Sequence, residues 1–447
     1  MKKKTLYILY VSLTVQLTAF AQNIEYKFNP PDWSYNKTIY EVNIRQYSGE
    51  GNFKGFEKHL PRLKEMGIGI LWLMPIHPIG EKNRKGTLGS YYSVKDYKAV
   101  NPEYGTLEEF KLMVKLIHRM GMYVIIDWVA NHTAWDNKWI EEHLDFYTED
   151  SLGNIISPVD DWADVADLNY DNKELWAAMI DALKFWVKEC DIDGYRCDVA
   201  GMLPIEFWIE ARNETEKIQP VFMLAEWDTP EMHKAFDMTY DWTMHKTMNG
   251  IAEGKKNVAD IVNHLNKDEE KYPTNAFRMQ FTSNHDENSW NGTVFERLGD
   301  GAETFAAFSF LIPGMPLIYT GQEAGLDKRL SFFEKDLVEW KEHKFQKLYA
   351  KLIHLKKNND ALLNGDKGGE VILIRSSEDE FVLAFTRAKN KNKIFAVFNL
   401  SDKKITANLD GESMSGSFKN FFTSQVVTFT DKESINLEPR GYKVFVK

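Results

Sequence analysis

Continuously apolar runs separated by stretches of helical spacing recur through the first three quarters of the chain, and this rhythm restricts the fold more than any other feature. Residues 53–66 carry helical spacing and stop at Gly67, and residues 68–75 are then almost wholly apolar. The pattern repeats at once. Residues 106–120 open on a Thr-x-x-Glu capping box and end at Gly121, and residues 123–127 (YVIID) follow as a strand. Strands that are apolar throughout, rather than at alternate positions, belong to parallel sheets covered on both faces. Similar runs at 38–47, 191–200, 221–226, 235–242 (weak), 277–282 and 316–319 bring the number of strands to eight. Helical spacing separates most of them, at 172–190, 204–218, 258–272 and 302–311, and a closing helix is expected over 340–358. Eight such units close a (β/α)8 TIM barrel.

The chain of 447 residues has room for that barrel and one smaller unit. The third strand is not followed directly by its helix. Residues 132–171 form a polar and aromatic insertion with little periodicity, read as a short excursion over the barrel mouth. From about residue 361 the character changes to short alternating strands between Gly, Asn, Asp and Ser turns, at 371–375, 381–387, 393–399, 405–409, 426–430 and 442–446. This predicts a C-terminal all-β sandwich over 361–447, with the catalytic barrel over 22–360. Residues 1–21 have the form of a secretory signal: Lys2, Lys3 and Lys4, an apolar run, and Ala19-Phe20-Ala21 as the cleavage site. The expected location is secreted or periplasmic. No stable membrane insertion is expected after cleavage.

A formal charge of −11, with no basic cluster in the body of the chain, argues against nucleic acid or an anionic membrane as partner. Cys190 and Cys197 are read as two small buried hydrophobes, since no His or Cys cluster accompanies them to hold zinc. The 13 Trp, 19 Tyr and 28 Phe fit a large core and equally fit stacking on pyranose rings, so composition leaves the ligand open.

Four polar clusters follow predicted strands: Asp127-Trp128-Val129-Ala130-Asn131-His132, Arg196 with Asp198, Glu226-Trp227, and Asn284-His285-Asp286. Loops on the C-terminal rim build the site in a barrel of this kind, so four clusters on one rim carry more weight than any one. A metal-dependent hydrolase would want His and acid ligands at recognisable spacing, and neither H-x-H nor HExxH occurs around His132 or His285. Glycoside hydrolysis needs one ionised and one protonated carboxyl. Asp198, on the same strand face as Arg196, is expected to be kept ionised by that arginine and to act as nucleophile, with Glu226 as its acid/base partner.

These stretches (DWVANH, GYRCDVA, LAEW and TSNHD) resemble, in order and spacing, the four signature regions of the α-amylase family of glycoside hydrolases. Residues 90–97 (SYYSVKDY), 101–106 (NPEYGT), 166–169 (ADLN) and 321–325 (GQEAG) match it too, and the likeness spans about 38–358. The resemblance implies a retaining hydrolase of α-1,4-linked, starch-like glucans or maltooligosaccharides. In it Asp198 forms a β-glycosyl enzyme, Glu226 serves as acid and then base, and Asp286 grips sugar hydroxyls. It further implies that His132 and His285 hydrogen-bond the sugar, Arg196 orients Asp198 and Tyr92 stacks on the ring, while Trp227 either lines the acceptor side or packs the rim. Asn131 and Asp167 match calcium-ligand positions, which makes a structural Ca2+ the one cofactor expected. One departure stands out. Lys and His often follow the nucleophile by three and four residues in this family, where this chain has Gly201 and Met202. Transfer to a sugar instead of water, action on α-1,6 bonds, and a sugar-binding homologue without catalysis are the competing readings; the last predicts a missing acid, and Asp198, Glu226 and Asp286 are all present.

Overall fold

The computed structural model describes residues 28–447, so the expected signal at 1–21 lies outside the described residues. The barrel strands are β1 (Ile39–Val42), β2 (Ile70–Leu73) and β3 (Tyr123–Trp128), after which β4 (His132–Ala134) and β5 (Val165–Asp167) pair as a separate ribbon in the insertion. The barrel continues with β6 (Gly194–Cys197), β7 (Phe222–Ala225), β8 (Met238–Tyr240), β9 (Phe277–Gln280) and β10 (Met315–Tyr319). All its pairings are parallel, and it closes in the order β1-β10-β9-β8-β7-β6-β3-β2.

Both faces of these strands are buried, which explains their unbroken apolar pattern. Ile39, Ile70, Ile125, Leu224, Phe277 and Met315 fill the barrel interior, while Tyr40, Leu71, Val124, Tyr195 and Met223 pack under the surrounding helices. Because side chains alternate, the inward row can be followed along each strand. It runs from Ile39 to Glu41, from Ile70 to Trp72, from Ile125 to Asp127 and from Gly194 to Arg196. The interior thus turns from apolar to charged toward the C-terminal rim. Register does the rest: Asp127 sits opposite Arg196 across β3 and β6, and Cys197 opposite Ala225 across β6 and β7. Asp198 and Glu226, each one residue further on, leave the barrel side by side.

Several local expectations needed revision. The run at 38–47 is not one strand: it breaks at Asn43, whose side chain accepts the Gln46 N–H and starts the one-turn helix Ile44–Tyr47. The helix over 53–66 is two, Phe53–Glu57 and Leu60–Met66, with Pro61 in the first turn of the second and Gly67 at φ 95° as its left-handed cap. The weak strand at 235–242 shrinks to β8, because Asp241 caps a helix, Trp242–Ala252, that the periodicity had not revealed.

The C-terminal unit contains β11 (Ile372–Ser376), β12 (Val382–Lys389), β13 (Asn392–Asn399) and β14 (Ile405–Asp410), then β15 (Gly416–Asn420), β16 (Val426–Phe429), β17 (Lys432–Leu437) and β18 (Tyr442–Val446). Strands β15 and β17 are additions to the expected set. The antiparallel order is β16-β15-β18-β13-β12-β11-β14-β17, and β11 joins two leaves, pairing with β12 through Ile372–Ile374 and with β14 through Arg375 and Ser376. Phe395, Phe418, Phe429, Leu409 and Ile435 form its core. The opposite face, with Leu383, Phe385 and Phe398, joins the barrel's own core, and the Phe308 and Phe398 rings meet 5.6 Å apart. No helix among the described residues is long and apolar enough to cross a membrane.

Candidate active site

Arg196 is the centre of the rim. Its guanidinium is fully buried and meets three carboxylates: Nη1 donates to Asp127 Oδ1 at 2.9 Å and to Asp198 Oδ1 at 3.0 Å, and Nη2 lies 2.8 Å from Glu226 Oε1. Asp198 and Glu226 thus contact the same planar ion, which holds their nearest oxygens within about 8 Å of each other. Nε donates to the Tyr240 hydroxyl at 3.2 Å, and Trp72 lies 5.0 Å from the guanidinium carbon. A buried arginine with fixed donors on several sides cannot turn, so it holds the carboxylates it touches.

The turn after β6 completes this arrangement. Val199 has φ 35°, a conformation costly for a β-branched residue. Its N–H donates to Glu226 Oε2 at 2.9 Å, so the strained residue links the two acids through the backbone. Two residues further on, Gly201 lies beneath Trp227, and a Cβ there would fall 2.1 Å from an indole carbon. Trp227 is half-buried over that position. Any side chain at Gly201 would therefore displace the indole that covers it.

Asp286 and His285 come from the loop after β9. His285 Nε2 lies 3.2 Å from Asp286 Oδ2 and 2.8 Å from the Tyr92 hydroxyl, and Nδ1 lies 2.5 Å from Glu41 Oε1. The Tyr92 hydroxyl also donates to Asp127 Oδ2 at 3.0 Å, and Trp72 Nε1 donates to the same oxygen at 3.1 Å. Tyr92, largely buried, stacks on the His285 ring at 5.4 Å. Asp198, Glu226, Asp286, Arg196, His285 and Tyr92 thus form one connected group. His132 stands at its edge, buried, with its ring 5.5 Å from Trp162 of the insertion and its Nδ1 3.3 Å from the Asn131 amide.

Five carboxylates (Glu41, Asp127, Asp198, Glu226 and Asp286) here surround two cations, Arg196 and His285. Burial pushes the Asp198 carboxyl well above the usual carboxylate range, and Glu226 adds to this while Arg196 opposes it. Burial also raises Asp127, to about 6, again against Arg196. Arg196 lowers the Asp198 carboxyl, as expected, but burial and Glu226 outweigh it. One guanidinium shared by three acids does not offset burial and the repulsion between them. Asp198 and Asp127 therefore hold their protons more tightly than isolated carboxyls do. His285 is the complementary case: burial opposes its charge, but Asp286 and Glu41 raise it to about 9. His132 has no such neighbours, and burial drives it down to about 3, with only the Tyr92 backbone opposing.

Asn131 and Asp167 are brought close by the β4–β5 ribbon, where His132 pairs with Asp167 and the Leu168 N–H donates to the Asn131 carbonyl at 3.1 Å. Burial raises the half-buried Asp167 carboxyl, and among the described residues no lysine or arginine pairs with it. An amide oxygen and an uncompensated carboxylate suit a hard cation, though they supply only part of the six to eight oxygens calcium takes. Glu41, Trp72 and Tyr240 had not been singled out from the sequence. Glu41 had a signal, being a lone charge within an otherwise buried strand.

The model of the α-amylase catalytic domain matches residues 29–156 and 159–361. Among solved structures, a maltogenic α-amylase from Thermotoga neapolitana is 33% identical with a TM-score of 0.85, over 92% of this chain and 98% of that one. An α-amylase from Lactobacillus plantarum is 32% identical with a TM-score of 0.83, over 92% and 99%. Among curated relatives, α-amylase 2 of Dictyoglomus thermophilum is 25% identical, covering 94% of this chain and 77% of its own. With the barrel, the three acids on its rim and this likeness along the whole catalytic region, the chain belongs to the α-amylase family of glycoside hydrolases.

Proposed function

We propose that the protein is a retaining hydrolase of α-1,4-glucosidic bonds in starch-like glucans or maltooligosaccharides. The observation that carries this reading is the joint contact of Asp198 and Glu226 with the Arg196 guanidinium at one rim. An oxygen of Asp198 attacks the anomeric carbon as the glycosidic C–O bond breaks, and Glu226 gives its proton to the departing oxygen. Water then attacks the same carbon, Glu226 takes its proton, and the Asp198 ester bond is released. Asp286 and protonated His285 hold ring hydroxyls, Tyr92 stacks against the ring, Arg196 fixes both acids, and His132 hydrogen-bonds from the insertion side. Asp198→Asn is expected to lower turnover of maltoheptaose by at least about 10⁴-fold with no fall in melting temperature. A variant with near-normal turnover overturns the assignment.

A second reading, transfer of the glycosyl group to a sugar, is favoured by Trp227. Its indole over Gly201 offers a flat apolar surface beside the acid/base, where an acceptor sugar can displace water. Relatives named cyclomaltodextrinase (24% identical) and α-1,4-glucan:maltose-1-phosphate maltosyltransferase (25% identical) support keeping both readings. Product analysis on maltoheptaose, pullulan and cyclodextrin separates these activities. We also propose that Asn131 and Asp167 hold a structural calcium, and that residues 1–21 direct the protein out of the cytoplasm. Chelation is then expected to lower the melting temperature; an unchanged melting curve removes the ion from the proposal.

A further inference from the structure

Beyond Asp286 the chain enters a π-helix, Glu287–Asn291, which presents Trp290 to solvent with 53% of its surface exposed. A tryptophan this exposed next to a reaction centre has little reason to be there for stability. It is not isolated. Its ring lies 5.3 Å from Phe332 and 5.9 Å from Phe333, on the loop after β10. Phe332 in turn stacks with Tyr92 at 6.1 Å and an interplanar angle of 17°, and lies 6.2 Å from His285. A line of rings therefore runs from the reacting centre to open solvent.

The line is also rigid. The Asn288 side chain donates to the Lys328 carbonyl at 3.0 Å and accepts the Leu330 N–H at 2.9 Å, and the Ser289 hydroxyl donates to the Leu330 carbonyl at 2.9 Å. From the far side, the buried Gln46 amide donates to the Ser331 carbonyl at 2.8 Å. Two loops from neighbouring strands are thus fastened together, and the rings they carry need no ordering when a ligand arrives. A π-helix fits this use, since the extra residue per turn re-aims side chains near a site.

The position of the wall gives its side. Glu226, which protonates the departing oxygen, stands with Trp227 over the β6 and β7 turns, so the leaving sugar lies there. The wall belongs to the β9 and β10 loops, beyond Tyr92 and Asp286. We propose that Trp290, with Phe332 and Phe333, holds the glycone-side glucose units beyond the one undergoing cleavage and so sets the length of the fragment carried by Asp198. The proposal rests on the α-glucan reading above. Flat rings in series match the apolar faces of successive α-glucose units, and the exposed outer ring serves a chain of two or more units better than a single sugar.

The test is a series of 4-nitrophenyl α-glycosides with one to four glucose units, together with the product lengths from maltoheptaose, for the wild type, Trp290→Ala and Trp290→Phe. In the wild type kcat/KM is expected to rise with each added unit up to the length of the wall. In Trp290→Ala that gain is expected to fall about tenfold, mostly through KM, with products shifting in length, and Trp290→Phe should recover most of it. Chain-length dependence that coincides in the wild type and Trp290→Ala overturns the wall while leaving the glucan reading intact. A wild-type enzyme that cleaves none of the glycosides and leaves maltoheptaose whole overturns both.

Discussion

Arg196 shows how a single side chain can organise a site without reacting. It is buried and faces three carboxylates with a planar set of donors. His285 supplies the second positive charge, and the consequence is measurable. With its pKa raised to about 9 by Asp286 and Glu41 against burial, His285 binds a proton more tightly folded than unfolded. Its contribution to stability is therefore complete below the unfolded value of about 6.5 and is lost as pH rises through about 9. The wild type is expected to lose melting temperature between pH 6.5 and 9.5, and His285→Gln to lose markedly less over that interval. Equal slopes in the two proteins would contradict a charged His285.

At the scale of elements, the turns after the strands decide more than the strands do. The β6 turn places Asp198, the strained Val199 and Gly201 within four residues, and each has a different partner: Arg196, Glu226 and Trp227. Gly201→Ala is expected to force the indole aside, because the new Cβ would approach a ring carbon to 2.1 Å and a rigid bicycle cannot bend away. If the indole holds the acceptor, the ratio of transfer to hydrolysis on maltotriose should drop several-fold, read by product chromatography. An unchanged ratio would leave Trp227 as packing only. Element boundaries were the least legible part of the sequence. Asn43 and Asp241 end strands by capping helices, a side-chain competition that apolar spacing does not register. Strands β15 and β17 escaped notice because the runs are short and few of their residues are buried, Phe418 in the first and Ile435 and Leu437 in the second.

At the scale of the molecule, the C-terminal sandwich is part of the barrel's structure. Phe385, Phe398 and Val444 share a core with the helix Ala302–Leu311. Two buried basic side chains reinforce the seam: Arg387 Nη1 donates to the Leu311 carbonyl at 2.9 Å, and Lys356 Nζ donates to the Gly314 and Leu362 carbonyls at 2.9 and 2.6 Å. Removing residues 362–447 would expose that apolar face and strip those donors of their surroundings. The full chain is expected to unfold in one calorimetric transition, and the truncated barrel to aggregate or melt well below it. Two separate transitions in the full chain would show instead that the units are independent.

The alternation of helices with buried parallel strands, the eightfold count, an all-β C-terminal unit and the acids that end barrel strands were readable in the chain. Each is a local pattern: a period, a stop residue, a charge ending an apolar run. The sharing of one guanidinium, the covering of Gly201 by Trp227 and the line of rings out to Trp290 were not. They join residues far apart in sequence, and only strand register and barrel closure bring them together. The ionisation of Asp198 belongs to the same class. Reading along the strand gave it one neighbouring cation; the folded barrel surrounded it with acids from other strands, and electrostatic energy depends on all the charges nearby rather than on those adjacent in the chain.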